Sequence, residues 1–467
     1  VLEPFYKILK PCNIIISDHD KQPFLTEWRG RFSQDCLGIL LPETVQQVSD
    51  CLKIAQQNHI HIVPQGGNTG LVGGQMPKGS QKQAIISLKK LNRIENISPA
   101  DFALTAQAGV TLVDIQNNAE KHNRLFPLSL ASEGSATIGG LIATNAGGTG
   151  VIKYGSMRHL ILGLEVVLPN GDIINDTHYL RKNNTGFDLK SLFIGAEGQH
   201  GIITAASLKL FSRPLSEVTC LIGVHNLHNI IEILAILQQA TGDNVSEFEL
   251  IGQIGFGFVL KHHPIKDPFD ISYPWYALVT VSSGFDETIL QAHLLKSLEA
   301  LLANKTAHNI VIAKNTAESL KLRQIRMLLS ASQKPEGASI KHDVSVPVQH
   351  IPDLIKLGSQ AAHHLIPDIR PCPFGHIGDG NIHFNFSQPV NMCPEKFMGY
   401  EKKLNSLIFD IVHNLGGCFS AEHGIGSLRV DQLYQYRSHN EMTLRQKIKK
   451  AIDPSYVLNP NKGYDNQ

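Results

Sequence analysis

The apolar positions of this chain change their period along its length. At 44–59, Val45, Val48, Cys51, Leu52 and Ala55 recur with helical spacing, and Thr44 stands where an N-cap is expected. Apolar runs at 61–63, 84–88 and 102–108 read as strands, and 111–122 as a helix capped by Thr111. The run 159–176, broken at Asn170-Gly171, predicts a hairpin, and about 191–211 predicts a strand pair that ends before Pro214. Beyond Pro214 glycine thins out and longer amphipathic stretches begin. Strands are expected at 218–224, 276–282, 309–313 and 339–346, and helices at 226–241, 286–303, 317–332 and 349–364. That alternation predicts an antiparallel sheet with helices on one face, ferredoxin-like in style. Residues 394–467 read as mostly helical, with a Pro- and Asn-rich tail at 454–461. The expected organisation is α+β: one domain over 1–214, a second over 215–393, and a C-terminal segment over 394–467 that completes the site.

Charge removes several function classes. The chain has 467 residues, with 42 Lys+Arg against 41 Asp+Glu, so no broad positive field exists to hold nucleic acid. With 42% apolar and 18% charged residues it has the composition of a folded protein. The seven cysteines are odd in number and contain no C-x-x-C pair, which argues against a disulfide framework and a cysteine zinc site and favours a reducing compartment. No apolar run approaches the ~18–20 residues of a spanning helix, and residues 1–30 lack a secretory signal. A cytoplasmic location is expected, with peripheral contact at the inner membrane left open.

The 39 glycines cluster. Pro64-Gln65-Gly66-Gly67-Asn68-Thr69-Gly70-Leu71 leads into Val72-Gly73-Gly74, a loop whose backbone N–H groups can approach an anion closely; a pyrophosphate is the natural guest. A second cluster holds Ser135, Thr137, Gly139-Gly140, Asn145, Gly147-Gly148 and Tyr154-Gly155; a third runs from Gly195 through Glu197 to Gly201-Ile202. The chain has neither a Walker-type phosphate loop nor a G-x-G-x-x-G between strand and helix. One extended ligand touched by several loops explains three clusters better than turns alone do.

The 22 histidines include two in a conspicuous setting, Phe374-Gly375-His376-Ile377-Gly378-Asp379-Gly380-Asn381-Ile382-His383-Phe384-Asn385-Phe386. Read as a strand, its end puts His383 and Asn385 on one face and Ile382, Phe384 and Phe386 on the other. A turn at Gly378-Asp379-Gly380 would let His376 and His383 converge. Ser420-Ala421-Glu422-His423-Gly424 supplies a carboxylate beside an imidazole. Two histidines and a carboxylate form a three-ligand metal set with an open position, suited to Zn²⁺ or Mn²⁺. A single histidine is more often a hydrogen-bonded core residue; it is the joint pattern that points to a metal. Arg326 and Ser330 share a helix face at i and i+4, and Lys341 follows on the next predicted strand; together they could clamp a carboxylate.

The ordered motifs PQGGNTGLVGG, SEGSATIGGLIATNAGG, YG and GAEGQHGI resemble the FAD-binding domain of vanillyl-alcohol-oxidase-type flavoproteins, and more narrowly the branch of D-lactate and D-2-hydroxyglutarate dehydrogenases. The resemblance runs from Trp28-Arg29-Gly30-Arg31 to Leu458-Asn459-Pro460. It implies a PCMH-type FAD-binding domain, with FAD cradled by 64–74, 128–148 and 195–202 and by Asn459. Flavin is expected to be non-covalent, because Asn68 stands near where covalent members often carry His. The resemblance also implies His376, His383 and Glu422 as ligands of a divalent metal, read as zinc, and His423 as the catalytic base. Asn385 matches a polar residue of the substrate or metal site, and Arg326, Ser330 and Lys341 match the substrate-carboxylate site. The implied activity is oxidation of a D-2-hydroxy acid to the 2-oxo acid by hydride transfer to flavin, with His423 taking the hydroxyl proton. Trp28-Arg29-Gly30-Arg31 and Glu247-Phe248-Glu249-Leu250 look most like the 2-hydroxyglutarate branch, a resemblance that implies D-2-hydroxyglutarate rather than D-lactate or glycolate. A quinone or an electron-transfer protein is the expected acceptor, and a homodimer is left open. The competing readings are alkyl transfer of the ether-lipid-synthase kind, a flavin-free His/His/Glu metalloprotein, and a non-enzymatic binding protein. Substrate-driven flavin bleaching separates the first, and flavin absorbance the second.

Overall fold

Helix Val45–Gln57 forms where the period predicts it. The Thr44 side chain accepts from the Gln47 N–H, and Val48, Cys51, Leu52 and Ala55 are buried on one face. Leu112–Lys121 repeats the device, with Thr111 accepting from the Asp114 N–H. In this computed structural model, which describes residues 1–32, 34–79 and 82–464, the chain divides into two units. One comprises Val1–Gly147, Gly155–Arg213 and Glu422–Gln467; the other comprises Gly148–Tyr154 and Pro214–Ala421. The stretch 394–467, read from sequence as one segment, is thus shared out at Ala421/Glu422.

The first unit holds two main sheets. In the four-stranded one, Gln83–Ser87 lies parallel between Ile39–Leu40 and His61–Gln65, with Ile14–Ile15 antiparallel at the edge. All five residues of Gln83–Ser87 are buried, as a covered parallel strand requires. The five-stranded sheet is antiparallel, ordered Ile94–Ser98, Ala103–Gln107, Ile202–Lys209, Ile161–Val167, Ile173–Asn175. Its last two strands are the predicted hairpin, turned at Gly171 with φ 86°. The expected strand pair over 191–211 is corrected. Residues 189–192 form a 3-10 turn, and Gly195, Glu197 and Gly198 have φ of 76°, 51° and 73°. Left-handed backbone cannot stay extended, so only Ile202–Lys209 and the short Phe211–Ser212 are strands.

The second unit is an eight-stranded antiparallel sheet. Its order is Asn309–Ile312, Ser216–Val224, Trp275–Ser283, Val245–Gly252, Arg370–Gly375, Asn381–Ser387, Ser339–Ile340, with Asp343–Ser345 also paired to Asn381–Ser387. Helix Leu227–Thr241 is capped by the Asn226 side chain and ends on Gly242 at φ 62°. Strands Val245–Gly252 and Arg370–Gly375 and helix Gln253–His262 carry no sequence prediction. The expected strand 339–346 is interrupted: Lys341 and His342 fall between Ser339–Ile340 and Asp343–Ser345, so Lys341 is not on a strand. All seven cysteines are free thiols. Among the described residues no helix is long and apolar enough to cross a membrane.

Candidate active site

In the first unit the glycine loops pack on one another. A Cβ on Gly67 would strike the Ser135 carbonyl, and one on Gly66 would strike Thr137 Oγ1. Only glycine allows this approach. Gln65 Nε2 donates to the Phe24 and Gln75 carbonyls at 2.9 and 3.1 Å, and Asn68 Nδ2 to the Pro23 and Thr26 carbonyls at 3.1 and 2.9 Å. These bonds hold the 64–71 loop in place, with Asn68 itself at φ 55°. Asn145 Oδ1 accepts from the Arg158 N–H and the Ser156 hydroxyl. Thr137 Oγ1 is buried and makes no hydrogen bond. A buried hydroxyl without a partner costs about 1–3 kcal/mol unless a ligand completes it. A preformed glycine cradle with an unmet polar atom fits a dinucleotide such as FAD.

Glu197 does something the sequence did not indicate. Its carboxylate accepts from the Ile425 and Gly426 N–H groups at 2.7 and 2.6 Å, and a Cβ on Gly424 would strike it. It therefore straps down the loop that begins Glu422-His423, whose side chains lie 3.5 Å apart. Burial pushes the Glu197 carboxyl pKa up, partly opposed by these two bonds. Asn459 Nδ2 donates to the Gly74 and Glu197 carbonyls at 3.0 and 2.6 Å, and its Oδ1 accepts from Lys462 Nζ at 2.6 Å. Asn459 is thus a strut between the glycine loops, and buried Lys462, its pKa pushed down to about 7 by burial, completes it.

In the second unit, Arg370–Gly375 and Asn381–Ser387 form a hairpin, with Phe374 opposite His383 and Gly380 turning at φ 88°. The turn brings the His376 and His383 rings to 5.4 Å between centroids. Ile382, Phe384 and Phe386 are fully buried on the opposite face. Asp343, which the sequence reading passed over, is cross-strand to His383, with Oδ1 3.8 Å from His383 Nδ1. Asn381 Nδ2 holds Asp343 Oδ1 at 2.9 Å. Imidazole nitrogens beside a carboxylate are a donor set that fits a divalent cation. The Ala421 N–H donates to the Asp343 carbonyl at 3.2 Å.

Arg326 and His376 meet on a third residue. Glu249, on the central strand and 1% exposed, accepts from Arg326 Nε through one oxygen and from His376 Nδ1 through the other, each at 2.6 Å. Burial alone would raise the Glu249 carboxyl, but His376 and Arg326 win and hold it down to about 2. Arg326 also lies over the Phe374 ring, 4.9 Å from its centroid. Ser330 is exposed on the same helix, Thr316–Ser332, and Lys341 is half-buried in the strand break. Asn385 Nδ2 donates to buried Gln333 at 3.1 Å. Glu249 was detectable as a carboxylate between apolar Phe248 and Leu250, where a charge needs a partner.

The chain carries two known domain families. Residues 36–177 match the FAD binding domain, and residues 213–463 match the C-terminal domain of FAD linked oxidases. The chain belongs to the FAD-linked oxidase family. Its relatives include D-2-hydroxyglutarate dehydrogenase, mitochondrial, of Arabidopsis thaliana, 32% identical over 98% of this chain and 80% of the relative. D-2-hydroxyglutarate dehydrogenase of Stutzerimonas stutzeri (strain A1501) is 29% identical over 99% and 98%. The solved structure of p-cresol methylhydroxylase shares the fold, with TM-score 0.75 and 17% identity over 99% of this chain and 95% of that one.

Proposed function

We propose that this protein oxidises a D-2-hydroxy acid, foremost D-2-hydroxyglutarate, to the 2-oxo acid with non-covalent FAD as hydride acceptor and a divalent cation, zinc first, as Lewis acid. The observation that carries this reading is the Arg326–Glu249–His376 constellation, which sets a carboxylate-binding guanidinium beside a pair of imidazoles. Both relatives described above bear the name of that dehydrogenase. Gly66, Gly67, Thr137, Gly140 and the loops around Asn145 and Gly201 would hold FAD, whose isoalloxazine supplies the two-electron acceptor when bound. Asn68 supports non-covalent attachment, because its amide is no nucleophile and donates to the Pro23 and Thr26 carbonyls. His376, His383 and Glu422 would hold the cation, which when bound polarises the substrate hydroxyl.

The chain's own residues then do three things. Arg326, with Ser330 and Lys341, binds the 1-carboxylate and orients the α-carbon; guanidinium offers the planar fork a carboxylate needs. His423 takes the hydroxyl proton as general base. Asn385 anchors Gln333 beside the hairpin. The reduced enzyme would pass its electrons to a quinone or an electron-transfer protein. The test is anaerobic flavin bleaching against a panel of D- and L-2-hydroxy acids, D-lactate and glycolate included, with metal content measured on the same sample. Bleaching by D-2-hydroxyglutarate at the highest kcat/KM is the expected result. Absence of bleaching by every D-acid would overturn the reading.

A further inference from the structure

Two Arg–Glu pairs lie one helical turn apart over the same strand. Arg323 Nε bonds Glu247 at 2.9 Å, and Arg326 Nε bonds Glu249 at 2.6 Å. The pairs differ in what the carboxylate does next. Glu247 accepts from the Thr280 and Thr149 hydroxyls, an ordinary way to satisfy a part-buried acid. The other oxygen of Glu249 instead accepts from His376 Nδ1 at 2.6 Å.

We propose that Glu249 is a positioning residue that couples the cation site to the substrate-carboxylate clamp, one oxygen setting His376 and the other setting Arg326. The proposal rests on the functional reading above and deepens it. A carboxylate is acceptor-only, so the bond places the His376 proton on Nδ1 and makes Nε2 the lone-pair nitrogen, the one whose chemistry suits a cation. The same carboxylate takes Nε of Arg326, so a second acceptor would be met by the two Nη groups, the outer fork of the guanidinium. The Phe374 ring under Arg326 holds the guanidinium plane. The carboxylate side chain is 1% exposed, so water cannot replace either bond. One buried charge therefore orients a metal ligand and an anion receptor.

Glu249→Gln gives a specific test. The amide oxygen can still accept from Arg326, but the amide NH₂ presents a donor to His376 Nδ1. That forces the opposite tautomer and puts the proton on Nε2. The expected result is a loss of Zn²⁺ affinity of ~10–100-fold, read by chelator competition on the FAD-loaded protein, with the KM for D-2-hydroxyglutarate moving much less. Glu249→Asp keeps the charge and should recover part of the affinity. Glu247→Gln, the matched control, should lower stability without changing Zn²⁺ affinity. Flavin content and circular dichroism report folding in each case; if Glu249→Gln does not fold, Glu249→Asp and Glu247→Gln still decide by their relative Zn²⁺ affinities. Wild-type Zn²⁺ affinity in folded Glu249→Gln, or equal losses in Glu249→Asp and Glu247→Gln, overturns the coupling and leaves the functional reading standing. A wild-type protein that binds no divalent cation overturns that reading and the coupling with it.

Discussion

The Glu197 carboxylate and the Gly426 N–H stand 2.6 Å apart, and the same carboxylate holds the Ile425 N–H at 2.7 Å. This acid lies in a glycine loop that suggests cofactor contact, yet its side chain serves the Glu422-His423 loop. Glu197→Gln would leave one of the two N–H groups facing an amide donor. We expect bleaching by substrate to slow ~10–100-fold with flavin content unchanged, about 1.4–2.7 kcal/mol of barrier. Stopped-flow reduction measures this, and an unchanged rate would refute the strap.

Gly67→Ala should release FAD. The added Cβ meets the Ser135 carbonyl, a backbone atom that cannot rotate away. Overpacking of this kind costs about 1–3 kcal/mol. Flavin absorbance after desalting should drop relative to wild type; full retention would show that the loop can shift.

His423→Ala should keep its yellow colour and lose substrate-driven bleaching. Removal of a general base costs ~10²–10⁴-fold. Full-rate bleaching in the mutant would reject the base assignment.

Chelation should abolish activity without releasing flavin, because the cation ligands proposed and the glycine cradle are separate sets of residues. Dialysis against a strong chelator followed by Zn²⁺ or Mn²⁺ readdition checks it. Active enzyme with no divalent ion would sink the metal assignment.

Glu336 predicts an acid transition in the second unit. It is bonded by Lys261 Nζ, His262 Nε2 and Arg370 Nη1, each at 2.6 Å. Burial would raise its carboxyl, but these hydrogen bonds outweigh it and bring the value from 4.5 to about 2. A folded-state value below the unfolded one gives stability that is present above pH ~4.5 and lost as pH falls toward ~2. Glu336→Gln should therefore cost ~1–3 kcal/mol at pH 7, discounted because Lys261 is exposed, and the gap to wild type should close between pH ~4.5 and ~2. Denaturant titrations across that range decide it; a gap independent of pH would show that the carboxylate charge contributes nothing.

Local patterns were enough to place many elements. Helices Val45–Gln57 and Leu112–Lys121 were legible because a capping threonine and a 3.6-residue period are written in adjacent residues. So was the convergence of His376 and His383, since a glycine turn between them acts over seven positions. Strand Val245–Gly252 was missed because Glu247 and Glu249 break its apolar pattern. Those same acids are tolerated because Arg323 and Arg326 reach them from a helix more than seventy residues away, at separations of 76 and 77. The Lys341 position was misread because the strand period says nothing of a break at Lys341-His342.

Read from the chain alone, the glycine loops and the histidine hairpin already pointed to a dinucleotide-binding protein with a metal-fit imidazole pair, and the near-zero net charge argued against a nucleic-acid binder. The role of Glu249 was out of reach there, because its two partners lie 77 and 127 residues away. Side-chain alternation tells which face a residue takes. It does not encode which strand becomes its neighbour, and that order, with Val245–Gly252 set beside Arg370–Gly375, is what places one carboxylate between an arginine and a histidine.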